Sequence, residues 1–211
     1  MTYDPAVHHR RSIRLKGYDY TQAGAYFITI CTHDRESLFG EIVGAGFTPD
    51  QNAQMNLNEI GRIAHAQWQK IPARFENVEL NEFVIMPNHI HGIIVIHDPV
   101  GAGFTPALDD ETTNIGVGLA PTPTNNGQIG QPQGLPLRVT VGNIVGAYKS
   151  LVANECLIIY KTKNETMGKL WQRNYYEHIL RDEKSYLEIA QYIFDNPAKW
   201  ELDSLYPGET P

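Results

Sequence analysis

His89 and His91 lie two residues apart in the run Val-Ile-Met-Pro-Asn-His-Ile-His-Gly-Ile-Ile-Val-Ile at 84–96, a spacing that can carry metal chemistry. The run is rich in β-branched residues and predicts a strand. Side chains at i and i+2 of a strand share a face, so both imidazoles project together while Ile90 turns the other way, into a core. Two imidazoles on one face can ligate one divalent ion and leave most of its coordination open, which suits catalysis better than a closed structural site. Two half-exposed strand histidines are the plainer reading of the same pair. Far downstream, residues 183–196 have helical periodicity, with Tyr186, Leu187, Ala190, Ile193 and Phe194 on one apolar stripe. At about 100° per residue, Tyr192 lies opposite the middle of that stripe. Asn196 follows one turn later on the same side. Pro197 should stop the helix and bias Asn196 away from helical geometry. A tyrosine aimed away from its own core, with an amide one turn on, is a candidate nucleophile beside a candidate metal ligand. An ordinary surface tyrosine is the alternative.

The elements that must position these groups can be read along the chain. Residues 24–32 alternate as a first strand, and residues 55–75 predict a helix through Ile60, Ile63, Ala64, Trp68 and Ile71, ended or kinked by Pro72. Residues 78–96 supply strand material. Pro87 argues against unbroken ladder pairing there and for a bulge or a strand start just before the histidines. Residues 139–157 return to a helical pattern, with Val141, Ile144, Val145, Tyr148, Leu151 and Val152 in a stripe and Lys149 off it. Residues 170–181 gather Trp171, Arg173, Tyr175, Tyr176, His178 and Arg181. That mixture suits stacking on unpaired bases and holding phosphates, and equally suits a helix capping a core. Between the metal strand and the next helix, residues 98–136 lose all periodicity, and Gly and Pro supply about a third of them. This segment predicts a flexible low-complexity insertion. Its Val-Gly-Ala-Gly-Phe-Thr-Pro at 100–106 copies residues 43–49, which reads as repeat expansion in a tolerant loop.

Four stretches together resemble a known family. They are Gly-Ala-Tyr-Phe-Ile-Thr-Ile-Cys-Thr at 24–32, Phe-Val-Ile-Met-Pro-Asn-His-Ile-His at 83–91, Leu-Trp-Gln-Arg-Asn-Tyr-Tyr-Glu-His at 170–178 and Tyr-Ile-Phe-Asp-Asn-Pro at 192–197. In order and rough spacing they are similar to the REP-associated tyrosine transposases, single-tyrosine members of the HUH nucleases of single-stranded insertion sequences. The resemblance implies an α+β fold, a central antiparallel sheet flanked by helices in the ferredoxin-like or RRM-like HUH arrangement, occupying residues 1–211 apart from the insertion at about 98–136. It assigns the nucleophile to Tyr192 and the metal ligands to His89, His91 and Asn196. Tyr175 and Tyr176 fall at positions that are simply aromatic in the family, so packing is their expected role. Lys149 falls where the family often carries a lysine that approaches DNA, although a solvated lysine is the even alternative. The implied activity is metal-dependent cleavage and transfer of single-stranded DNA at hairpin-forming repeats, through a 5′-phosphotyrosine intermediate, with Mg or Mn. Imidazole ligands alone would also fit Zn and other transition metals. A replication-initiator-like HUH nickase and a non-catalytic hairpin-DNA-binding module remain as alternatives. A homodimer is compatible with this class, and Tyr192 acting in cis or in trans stays open.

Composition bounds these expectations. The chain has 211 residues and 42% hydrophobic content, enough for a sizeable core. No apolar run reaches the ~18 residues needed to span a membrane. The N-terminal residues lack a signal-peptide hydrophobic region, and Cys31 and Cys156 form no Cys-x-x-Cys motif, so a reduced cytoplasmic protein is expected. A formal net charge of −7 argues mildly against a nucleic-acid partner. Its distribution matters more. Asp98, Asp109, Asp110 and Glu111 fall in the insertion, which has no Lys or Arg, whereas Arg10, Arg11, Arg14 and Lys16 cluster near the N-terminus. With Lys149, Arg173 and His178, these four are the candidate DNA-binding residues.

Overall fold

The computed structural model describes residues 22–44, 53–98 and 139–208. The elements run in chain order as β1 (Gly24–Cys31), a 3-10 turn (His33–Arg35), β2 (Gly40–Val43), β3 (Gln54–Leu57), α1 (Glu59–Gln69), α2 (Ile71–Arg74), β4 (Val78–Met86), β5 (His89–Ile96), α3 (Val141–Thr162), β6 (Tyr176–Leu180), α4 (Glu183–Asp195) and a closing 3-10 helix (Pro197–Leu202). Four strands form one antiparallel sheet in the order β4-β5-β1-β6, and β2 pairs with β3 separately. The fold is the α+β arrangement that the sequence implied.

Period-2 alternation gives the sheet two different faces. Tyr26, Ile28 and Ile30 of β1 with Ile90, Ile94 and Ile96 of β5 face one way, where Ala64 and Trp68 of α1 and Val141, Ile144, Val145, Tyr148 and Val152 of α3 bury them. Gly92 is required on this face, because a Cβ there would run into the Trp68 ring. The opposite face is thinly covered: Phe27, Ile93 and Leu180 meet Ile193 of α4, with Tyr186, Ile189 and Ala190 partly buried against them. On this second face the register sets Thr29 opposite both His91 and Tyr176, and Cys31 opposite His89. The thinner cover leaves room for chemistry beside the histidines.

Several sequence expectations need correction. The helix expected at 55–75 is three pieces: β3, then α1 capped by the Asn58 side chain on the Gly61 N–H, then the one-turn α2 with Pro72 in its first turn. Pro72 breaks the run, as its ring demands, and its fixed φ also starts α2. Helix α3 begins with a Thr140–Asn143 capping box and runs past 157 to Thr162, and no residue of it after Cys156 is fully buried, so the sequence stripe ends early. Residues 176–180 are a strand rather than a helix, and just before them the Gln172 N–H donates to the Cys31 carbonyl and the His33 N–H to the Leu170 carbonyl. On α4 the buried line is Tyr186, Ile189, Ala190 and Ile193, while Leu187 and Phe194 are 58% and 80% exposed. The stripe is rotated from the expected one because α4 packs on β4, β5 and β6 through Tyr186, Ile189, Ala190 and Ile193 and turns Leu187 and Phe194 to solvent.

The insertion expectation for 98–136 lies outside the described residues, except that Asp98 is exposed. No helix among the described residues is long and apolar enough to cross a membrane.

Candidate active site

Asn88 closes the two-residue turn between β4 and β5, and β5 opens on His89, so Pro87 sits in a turn where its missing N–H costs nothing. Both histidines are buried, at 0% and 3% exposure, with ring centroids 4.4 Å apart, which disposes of the half-exposed reading. The Asn88 amide donates to the carbonyls of Arg35 (3.2 Å) and Leu205 (2.8 Å). Its oxygen therefore accepts from His89 Nδ1 (2.8 Å). That fixes the His89 tautomer and leaves Nε2 with a free lone pair, buried and without a partner among the described residues. His91 Nδ1 lies 2.9 Å from the Thr29 hydroxyl on β1. Phe27 stacks on His91 at 5.2 Å.

Helix α4 brings Tyr192 against this pair. The Tyr192 oxygen is 3.1 Å from His91 Nε2 and 3.1 Å from Asp203 Oδ2. A carboxylate only accepts, so the tyrosine proton points at Asp203, and the Tyr192 oxygen accepts from His91 Nε2–H. Ligation of a metal at His91 Nε2 requires the other tautomer. Thr29 serves either, since its hydroxyl can donate to Nδ1 or accept from it. Asn196 is 2% exposed. Its Nδ2 donates to Asp203 Oδ2 (3.0 Å), and its Oδ1 is buried without a partner among the described residues. The expected distortion before Pro197 is absent: Asn196 has φ −57° and ψ −43°, and the chain continues into the closing 3-10 helix. Steric bias before proline is only a preference, and here the Asn196–Asp203 bond and the buried Trp200 hold the continuous path.

Asp203 and Asn88 were not foreseen. Asp203 lies just beyond the 3-10 helix that begins at Pro197, where α4 has stopped as expected. The Leu205 N–H and the Asn196 amide both donate to it. Burial raises its pKa, but these two donors and the nearby histidines outweigh burial and hold it below the usual carboxylate value. Burial lowers His89 to about 4, with Arg35 adding to the effect and Asp203 opposing it. Burial and the His89 ring lower His91 to about 3, again against Asp203. Both imidazoles are thus neutral at neutral pH, the state that binds metal. Burial and the Asp203 charge raise Tyr192 to about 12, so its phenol carries its proton until reaction.

These donors fit a divalent cation. The ligating atoms of His89, His91 and Asp203 lie within 4.8 Å of one another, and beside them His89 Nε2 and Asn196 Oδ1 are buried without a partner among the described residues. Two nitrogens with two oxygens is a mixed set open to several divalent metals. The remaining sequence candidates lie farther out. Lys149 Nζ donates to the carbonyls of Gln172 (2.6 Å), Arg173 (3.4 Å) and Asn174 (3.3 Å), so its ammonium fastens that segment. Arg173 and His178 are exposed, His178 on the site face of β6 opposite Phe27. Tyr175 packs against the larger core, as expected of it, whereas Tyr176 is 49% exposed on the site face. Arg10, Arg11, Arg14 and Lys16 lie outside the described residues.

The four-stranded sheet with its helices matches the solved structure of a REP-associated tyrosine transposase bound to a REP hairpin. The TM-score is 0.50 and the identity 18%, covering 89% of this chain and 74% of that one. The fold is therefore that of a REP-type transposase. A candidate transposase of Deinococcus radiodurans R1 gives a TM-score of 0.40 and 15% identity, covering 85% of this chain and 94% of that one. No family model matches the chain. An uncharacterized protein of Haemophilus influenzae is 43% identical over 204 residues, 97% of each chain, and this chain belongs to the family of that protein.

Proposed function

We propose that this protein is a metal-dependent endonuclease and strand transferase of single-stranded DNA, acting at hairpin-forming repeats through a covalent 5′-phosphotyrosine at Tyr192. The observation that carries the reading is the convergence of the Tyr192 hydroxyl on His91 Nε2 and the Asp203 carboxylate, with the unpartnered His89 Nε2 and Asn196 Oδ1 alongside. A structural tyrosine would not need a buried neutral imidazole and a carboxylate at its hydroxyl.

His89, His91, Asn196 and Asp203 would hold the cation. When bound, such a cation supplies Lewis-acid stabilisation of charge on a phosphate oxygen. Tyr192 is the nucleophile. Its oxygen bonds to phosphorus while its proton leaves along the existing hydrogen bond toward Asp203. The bond from phosphorus to the 3′-oxygen breaks, and that oxygen takes up a proton from water. Attack by a different 3′-hydroxyl reverses these events and rejoins DNA, so transfer needs no outside energy source. Phe27 and Thr29 hold the His91 ring by stacking and hydrogen bonding, and Asn88 holds His89. Hairpin DNA is proposed as the substrate because the fold's solved match was captured on a REP hairpin.

End-labelled single-stranded hairpins from DNA flanking the reading frame test this reading. Wild-type protein with Mg or Mn should leave label bound to protein, and Tyr192→Phe should leave none while still binding the hairpin. Adduct surviving in Tyr192→Phe but lost in Tyr175→Phe or Tyr176→Phe would move the nucleophile elsewhere.

A further inference from the structure

Beside Tyr192 and His91 the site opens into a cavity of about 580 Å³, within the range of about 300–1,000 Å³ usual for small-molecule sites. Phe27 forms part of its lining between two tyrosines, with Tyr176 edge-on at 6.5 Å on one side and Tyr192 edge-on at 6.2 Å on the other. Ile189 of α4 adds an apolar wall. Gln172 and Asn174 border the same space. Their backbone is pinned, since Lys149 takes both carbonyls and the Gln172 N–H donates to Cys31. Neither side-chain amide makes a hydrogen bond among the described residues.

We propose that this cavity receives one unpaired nucleobase, that of the nucleotide joined through its 5′-phosphate to Tyr192, with Tyr176 as stacking platform and the Gln172 and Asn174 amides reading the base edge. The inference rests on the strand-cleavage reading above. Aromatic rings alone would bury any apolar ligand. Amides on this pinned backbone, each carrying a donor and an acceptor, add the complement of a base edge. A base inside a duplex is covered on both faces by its neighbours, so only a single-stranded or extruded nucleotide can enter. Tyr176 at 49% exposure fills no core, which accounts for an aromatic side chain presented at this position. Packing explains Tyr175 and leaves Tyr176 unexplained.

The phosphate left on Tyr192 belongs to the 5′ carbon of its nucleotide, so deoxynucleoside 5′-monophosphates mimic the ligand and need no cleavage. The test is an NMR-detected titration of the full chain, in magnesium buffer, with each of the four monophosphates and with deoxyribose 5-phosphate. At least one base should bind on the order of tenfold tighter than the sugar phosphate. Tyr176→Ala should erase that margin and Tyr176→Phe should keep it, while Asn174→Ala should narrow the spread among the four bases. A margin that is absent, or that persists in Tyr176→Ala, overturns the stacking site, and an unchanged spread in Asn174→Ala overturns the edge readout. Covalent adduct formation on single-stranded DNA is scored separately. Adduct without base preference removes the cavity proposal alone, and base preference without adduct removes the cleavage reading and with it the assignment of the bound base to a Tyr192-linked nucleotide.

Discussion

At the residue scale, the site depends on buried groups whose protons are assigned by neighbours. Asn88 sets His89, Thr29 serves His91, and Asp203 takes the Tyr192 proton. His89→Ala and His91→Ala should each abolish metal-dependent cleavage, whereas Asn196→Ala should weaken it less because Asp203 still offers oxygen. Metal titrations of cleavage rate for the three variants check this ranking, and full activity in either histidine variant would contradict the metal site. Burial also ties these residues to stability. His89 is held near 4 in the fold against about 6.5 in an unfolded chain, so the unfolded chain takes up the proton first as the pH falls. Its contribution is therefore complete above about pH 6.5 and lost as pH falls toward the folded value, on the order of 3 kcal/mol across that window. Urea unfolding between about pH 7 and 4.5 should show a smaller loss in His89→Ala than in the wild type. An equal loss in both would assign the acid sensitivity to other groups.

At the element scale, what was legible in the sequence came from periodicity. Alternation along β5 put His89 and His91 on one face, and helical spacing put Tyr192 and Asn196 together on α4. The packing partners were not legible: Asn88 and the Lys149 clamp on 172–174 are defined by contacts between segments far apart in the chain, and Asp203 by the turn that follows the 3-10 helix. Leu187 and Phe194 were misplaced because an apolar stripe fixes a helix face only when the surface beneath it is known. The short β3 was absorbed into the neighbouring helix, since four residues carry too little alternation to compete with it. Gly92 lies so close under Trp68 that an added Cβ would meet the indole ring. Gly92→Ala should therefore cost about 1–3 kcal/mol through overpacking. Thermal or urea unfolding measures it, and a neutral result would mean that α1 can lift off the sheet without loss.

At the scale of the whole molecule, the site side chains come from β1, β5, α4 and the segments next to them, all within the described part of the chain. None of the site side chains named above falls in residues 98–136, whose Gly- and Pro-rich sequence lacks the periodicity of a core-packing element. Loop closure costs only about 0.6 kcal/mol per doubling of length, so such a segment can persist without a chemical role. Replacing 100–134 with a short Gly-Ser linker should leave the cleavage rate and target choice unchanged. A folded variant that loses either would place the insertion in the working site. The central claim is that Tyr192 becomes joined to DNA, and peptide mass spectrometry after reaction with single-stranded hairpin DNA tests it most directly. The account expects a nucleotide bonded through its 5′-phosphate to the peptide containing Tyr192, absent when metal is chelated. Cleavage that proceeds with no protein-linked nucleotide, or with the nucleotide on another residue, would contradict it.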